Sequence, residues 1–262
     1  MGQAMRLKVL GVLAVTGALA LSGGPAMADD GSHTRTPKAY TCTGGEIPSG
    51  NYASVTVTGA CDVPADAVIS VVGNVNVAAG ASLDAQSAPS TITVERNVTA
   101  ARGSLLGLGC QPPSYTGNSA HQCTVEPDGH STITVKGNVT GVGADTVLLN
   151  GVTVKGNVTL IAGGGDIPWS IKNNTISRNL TVIGQTADWL GVLFNSIGGN
   201  ATLARITVTD PGDPGRLVFV VRNTIERNLI CAGLAPGVSG GFFPGEVNVV
   251  GRHAIGQCAS LV

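Results

Sequence analysis

Five aspartates stand at nearly constant distances beyond an asparagine. Asp84 is ten residues past Asn74, Asp145 seven past Asn138, Asp166 nine past Asn157, Asp188 nine past Asn179 and Asp210 ten past Asn200. If these segments stack, the carboxylates form a column, and like charges near a surface repel by ~1 kcal/mol or somewhat more. Ca²⁺, which prefers hard oxygen ligands from neighbouring loops, reverses that repulsion. Asp145, Asp166, Asp188 and Asp210 are therefore the candidate metal column, and Asp213 in Asp210-Pro211-Gly212-Asp213 adds a further donor. The competing reading is that aspartate is simply a good turn residue, able to bond its own backbone two positions on. No EF-hand loop or RTX nonapeptide accompanies the set. Trp169 and Trp189, 20 residues apart, are candidate ligand residues that would form a platform for sugar rings if they stood side by side and exposed. The alternative for each is core filling. His33, His121, His130 and His253 are dispersed, with no Ser/His/Asp or Cys/His constellation, so no catalytic residue and no cofactor other than the candidate Ca²⁺ is assigned.

Something must hold these side chains in register, and an internal repeat does so. A hexamer of the form [Ser/Thr]-[Val/Ile]-x-[Gly/Arg]-Asn-[Val/Leu/Ala] occurs seven times, with its asparagines at Asn74, Asn97, Asn138, Asn157, Asn179, Asn200 and Asn228. The steps are 23, 41, 19, 22, 21 and 28, a period of about 21. The step of 41 is either two turns with one copy erased or one turn with an insertion, and it contains Cys110 and Cys123.

Around each copy apolar and polar residues alternate as in Val152-Thr153-Val154, Lys155-Gly156-Asn157, Val158-Thr159-Leu160, which reads as two short strands bent apart at a Gly-Asn corner. Gly and Asn are expected to supply positive φ there. A third apolar stretch precedes each copy, for example Trp169 to Ile171 and Val192 to Phe194. Three short strands per repeat are the unit of a parallel β-helix, an all-β fold in which each coil pairs with the next at ~4.8 Å. Stacked, the corner asparagines would form a ladder of amides that both donate and accept. Asn174, Asn195 and Asn223 form a second recurring column, also assigned to architecture. Thr140, Thr159, Thr181 and Thr202 share one position after the corner, but coil lengths of 19 to 28 argue against a flat ice- or mineral-matching face.

The Asn-x-Ile-x-Gly/Arg-Asn-Leu rhythm, over about Val63 to Arg252, resembles secreted bacterial right-handed parallel β-helix proteins, a superfamily that includes pectate lyases and polygalacturonases. The resemblance implies a single-stranded right-handed β-helix with three short strands per coil. The polygalacturonase segments it would bring are not matched. Asn-Thr precedes Ile176 and Ile225 rather than aspartate, Asp29-Asp30 begins the expected mature chain, Gly129-His130-Ser131 is a partial match, and Arg-x-Lys is absent beyond the leader. The loops Gly103 to Gly129, Gly163 to Trp169, Gly184 to Leu190 and Asp210 to Arg216 are expected to emerge along one edge of the stack. A lyase would want a base beside bound Ca²⁺, and Lys172, Arg178 and Arg216 are the basic residues near that loop edge.

Composition bounds the rest. With 38 glycines, 12% charged and 3% aromatic residues over 262 positions, the chain is neither a collagen nor a coiled coil. Lys plus Arg number 15 against 16 Asp plus Glu with no basic run, which argues against a nucleic-acid partner. Arg6 and Lys8, the apolar run Val9 to Leu21, and Ala26-Met27-Ala28 form a signal peptide over 1–28, too short an apolar run for the ~20 residues of a membrane span. Six cysteines without a CxxC pair are expected to form disulfides in chain order, Cys42 with Cys61, Cys110 with Cys123 and Cys231 with Cys258. The expected organisation is a signal peptide (1–28), an N-terminal segment and cap (29–62), a β-helix (63–252) and a C-terminal cap (253–262). The expected function is that of a secreted, non-catalytic structural protein that binds polysaccharide or a cell-envelope surface, the alternative being a diverged lyase or glycoside hydrolase at the loop edge. No membrane span is expected in the mature chain.

Overall fold

The computed structural model describes residues 36–210, 217–241 and 247–262. The expected signal peptide, Asp213 and Arg216 lie outside them. Within the described residues the strands form two sheets, of nineteen and nine strands, and every pairing between them is parallel. The architecture is all-β and compatible with a parallel β-helix. Pro113–Thr116 is a four-residue helix inside the long insertion.

The strands fall into three ladders. The first precedes each corner asparagine and includes Ser90–Val94, Thr132–Val135, Val152–Val154, Thr175–Ile176, Ser196–Ile197 and Thr224–Ile225. The second follows it and includes Val98–Ala100, Val139–Val142, Val158–Ile161, Leu180–Ile183, Ala201–Val208 and Leu229–Ala235. The third is the nine-stranded sheet, with Ser82–Ala85, Leu105–Leu108, Thr146–Asn150, Trp169–Lys172, Leu190–Leu193 and Val218–Val221. Equivalent residues of successive repeats pair directly, as in Thr134 with Thr153 and Val158 with Leu180. The 41-residue step is one repeat with an insertion, because Thr93 pairs with Thr134 and Thr99 with Thr140, leaving no rung between them.

The two-residue period of a strand turns alternate side chains inward. Val94, Val135, Val154, Ile176, Ile197 and Ile225 thereby form one buried column of the first ladder. In the third ladder both faces are covered, and Thr146–Asn150 and Val218–Val221 are buried at every position. Pairing extends beyond the expected 63–252 on both sides, since Lys38–Cys42 pairs with Gly50–Val57 and Ala254–Gly256 pairs with Leu229–Ala235. The disulfides join Cys42 to Cys61, Cys110 to Cys123 and Cys231 to Cys258, with Cα separations of 6.4, 4.9 and 5.4 Å. Three disulfides point to a non-reducing, extracellular setting. No helix among the described residues is long and apolar enough to cross a membrane.

The corner amides stack as expected. The backbone N–H and side-chain Nδ2 of Asn97, Asn138, Asn157, Asn179, Asn200 and Asn228 each donate to Oδ1 of the asparagine one repeat earlier. At the end of the column the N–H of His253 donates to Asn228 Oδ1. The second column runs with opposite polarity. Asn174 donates forward to Oδ1 of Asn195, Asn195 to Asn223 and Asn223 to Asn248, while each Nδ2 also reaches a third-ladder carbonyl. Asn248 ends this column, its Oδ1 accepting from Asn223 Nδ2 and its own Nδ2 donating to the Val220 carbonyl, each at 2.9 Å.

One expectation is corrected. Gly137, Gly156 and Gly199 at the Gly-Asn corner do not take positive φ. Glycine is needed there because a Cβ on Gly156 would lie 2.4 Å from the Gly137 carbonyl oxygen and 2.5 Å from Asn138 Oδ1. Positive φ lies instead at the bend after the second ladder, at Gly143, Ala162, Gly184, Arg205 and Gly233 in register, and before the inner asparagines at Asn173, Phe194 and Arg222.

Candidate functional site

The aspartates follow the bend between the second and third ladders. Continuing the ladder register, Ile161 opposite Ile183 sets Asp166 level with Asp188, and Ala187 opposite Val208 sets Asp188 level with Thr209, one residue before Asp210. Asp145 is level with Gly164, whose N–H donates to the Ala144 carbonyl at 3.0 Å, and so lies ahead of the level that Asp166 occupies. A one-residue offset along extended chain turns a side chain to the other face. The structure therefore sets Asp166 level with Asp188, with Asp210 one residue and Asp145 two residues off that line, and does not bring Asp145, Asp166, Asp188 and Asp210 to one level. No group of three or more His, Cys, Asp or Glu suited to a metal occurs among the described residues. Asp84 is a turn aspartate, its Oδ1 accepting from the N–H of Gln86 and of Ser87 at 3.0 Å and its Oδ2 from Ser87 Oγ at 2.6 Å.

The tryptophans do not form a platform. Trp169 is fully buried in the core and its Nε1 donates to the Asp145 carbonyl at 2.9 Å. Its strand partner is Leu190, so Trp189 is again displaced by one residue and points outward. There it stacks on Phe219 with centroids 5.7 Å apart and borders an outer apolar cluster of Leu193, Phe219 and Val221. Trp189 stays half-buried, with Lys172 Nζ 5.7 Å from its ring.

The insertion leaves the chain between the third and first ladders and folds back against the end of Trp169–Lys172. The disulfide closes Cys110 to Cys123, Asn118 and Asn173 exchange side-chain amide hydrogen bonds of 2.7 and 3.0 Å, and Lys172 Nζ donates to the Ser119 carbonyl at 3.3 Å. Tyr115 stacks on His130 at 4.3 Å within the insertion, which makes His130 a loop-packing residue. His121 sits under this strap. Burial holds its imidazole below the usual histidine pKa, the Lys172 charge pushes the same way, and Asp84 opposes them. Burial also lowers the Lys172 ammonium. Nothing in the sequence pairs His121 with Lys172, because they belong to an insertion and a strand 51 positions apart. At the N-terminal end of the corner stack, Pro37, Ala53, Val72, Asn74 and Arg96 border an open depression of about 380 Å³.

Thr140, Thr159, Thr181 and Thr202 stand in one continuous column. The unequal repeat lengths leave it undisturbed because the extra residues leave the ladders as loops. Compared with known proteins, the chain matches no family model, no curated protein and no solved structure.

Proposed function

We propose that the chain is an exported right-handed parallel β-helix of three strands per coil of about 21 residues, acting as a non-catalytic structural scaffold that binds a polysaccharide or cell-envelope surface. The observation that carries this reading is the corner amide stack running without interruption from Asn74 to Asn228. Such a stack devotes one position of every repeat to holding the next repeat. Right-handed winding follows from the general rule that parallel crossovers within one sheet turn that way in almost all proteins. Export is supported by three disulfides, two of them tying neighbouring repeats near the two ends of the ladders.

A panel of envelope and environmental glycans, scored in the same assay for binding and for cleavage, tests the proposal. Binding without chain shortening is the expected result. Cleavage would move the chain to the lyase or hydrolase reading, for which His121, Lys172 and Asp84 beneath the insertion are the groups to substitute first. Absence of binding to every glycan would leave the surface-binding part of the proposal without support.

A further inference from the structure

We propose that the asparagine corner carries a basic ridge that binds a linear anionic glycopolymer, one with repeating carboxylate or phosphodiester groups, laid along the stack. This deepens the polysaccharide-binding reading, rests on it, and moves the surface from the loop edge to the opposite side of the second ladder. Arg96, Lys136, Lys155, Arg178, Arg227 and Arg252 occupy the two positions just before the corner residue, and all six are exposed. Scattered in sequence, they are brought by the ladder onto two adjacent lines, Lys136 and Lys155 on one and the four arginines on the other. Lys136 N–H donates to the Val94 carbonyl at 2.8 Å and Lys155 N–H to the Val135 carbonyl at 2.9 Å, while Arg252 N–H donates to the Arg227 carbonyl at 3.0 Å. The expectation that no basic stripe exists holds for the linear sequence and fails for the fold.

Only Glu95 and Glu226 oppose the six cations at these positions, leaving +4 on a chain whose formal charge is -1. Glu95 already pairs with Lys136 at 2.7 Å. Elsewhere among the described residues five basic side chains face ten acidic ones, Asp145, Asp166, Asp188 and Asp210 among them. The excess positive charge is thus concentrated on two adjacent lines at the corner, with coils spaced by ~4.8 Å and one break, at Gly198-Gly199. A linear polymer with periodic anions matches such lines, whereas a compact anion would meet only one or two of their charges. Four of the six are arginines, whose planar fork pairs with carboxylate and phosphate oxygens in bidentate fashion.

Hydroxyls flank the ridge on both sides, with Thr134, Thr153 and Thr175 before it and Thr140, Thr159 and Thr181 after it. They suit the hydroxyls of sugar rings. Nucleic acid is the less fitting polyanion, since single strands are held by stacking bases on aromatic side chains and the ridge positions carry none.

The test measures affinity of the oxidised full chain for polygalacturonate, poly(glycerol phosphate), neutral dextran and duplex DNA across a range of salt. One variant carries Lys136→Gln, Lys155→Gln and Arg178→Gln. A charge-matched control carries Lys38→Gln, Arg102→Gln and Arg205→Gln, all exposed and off the ridge. Exposed ion pairs contribute roughly two- to five-fold each, so the ridge variant should bind an anionic glycopolymer roughly tenfold to a hundredfold more weakly. Its slope of log affinity against log salt should fall by up to about three, and the control should bind as the parent does. Unchanged melting of both variants excludes misfolding. Preference for the carboxylate or the phosphodiester polymer identifies the source of the anion. Equal loss in both variants, or DNA bound as tightly as either glycopolymer, would overturn the ridge. So would salt-reversible self-association in place of polymer binding. Dextran bound as well as the anionic polymers would overturn the ridge and leave the broader polysaccharide reading standing, whereas no binding to any glycan defeats both.

Discussion

Replacing Asn195 by alanine separates the two amide stacks energetically. Asn195 is 2% exposed. Its Oδ1 accepts from Asn174 N–H at 3.0 Å and from Asn174 Nδ2 at 2.9 Å, and its Nδ2 donates to the Ile171 carbonyl at 2.8 Å. Truncation leaves the Asn174 backbone N–H and the Ile171 carbonyl buried without those partners. Each orphaned buried group costs about 1–3 kcal/mol, so the loss is about 3–5 kcal/mol once the small void is included. The same substitution at Asn138 in the outer stack removes equivalent bonds at an exposed position. Water replaces them there, and the expected cost is about 0.5–1.5 kcal/mol. Chemical denaturation followed by circular dichroism gives the difference. Amide exchange at Asn174 locates it, because that N–H should lose protection in Asn195→Ala before the remainder of the first ladder does. If Asn195→Ala costs no more than Asn138→Ala, the inner amides are not stabilised by burial and the reasoning about them is wrong.

Three further outcomes follow from the same geometry. Removing the Cys231–Cys258 bridge by a double serine substitution frees a 27-residue loop, expected to cost about 3–4 kcal/mol by the chain-entropy relation. Amide exchange should then rise around 229–256 and remain unchanged around 132–161. His121 has its folded pKa held below the unfolded value of about 6.5, so neutral imidazole favours the docked insertion. Its stabilising effect is complete above the unfolded pKa and is lost as pH falls below about 6.5 toward the lowered folded value. An NMR titration should place the His121 midpoint below the ordinary histidine value of about 6.5, and exchange at residues 118–121 should quicken on acidification in the parent but not in His121→Gln. Finally, millimolar Ca²⁺ is expected to leave the melting temperature unchanged, since only Asp166 and Asp188 stand level while Asp145 and Asp210 lie off their line. A rise of several degrees would indicate binding to the folded state and restore the metal reading.

The repeat was legible because every residue in it answers to a local rule. Val or Ile alternates with Thr wherever a strand turns one face inward, and Asn recurs where one repeat must hydrogen-bond to the next. Those patterns sufficed for the three ladders, for both amide columns up to Asn223, and for the order of the disulfides. The glycine of the Gly-Asn corner was placed correctly and explained wrongly. Its position follows from the motif, whereas the reason for it, a neighbouring repeat's carbonyl 2.4 Å from a would-be Cβ on Gly156, exists only after stacking.

What the chain alone determined is therefore the one-dimensional periodicity: which residues recur, which alternate and which cysteines are neighbours. Tertiary structure decided the lateral relations. Trp189 faces outward while Trp169 is buried because the register pairs Trp169 with Leu190. His121 meets Lys172 because an insertion folds back over the third ladder. Arg96, Lys136, Lys155 and Arg178, dispersed over 83 residues of sequence, meet on two adjacent lines of one corner. A strand's face is fixed by single-residue register, and the interval between charges by the stacking of whole repeats. Neither is written in any one segment, so both became visible only when the ladders closed.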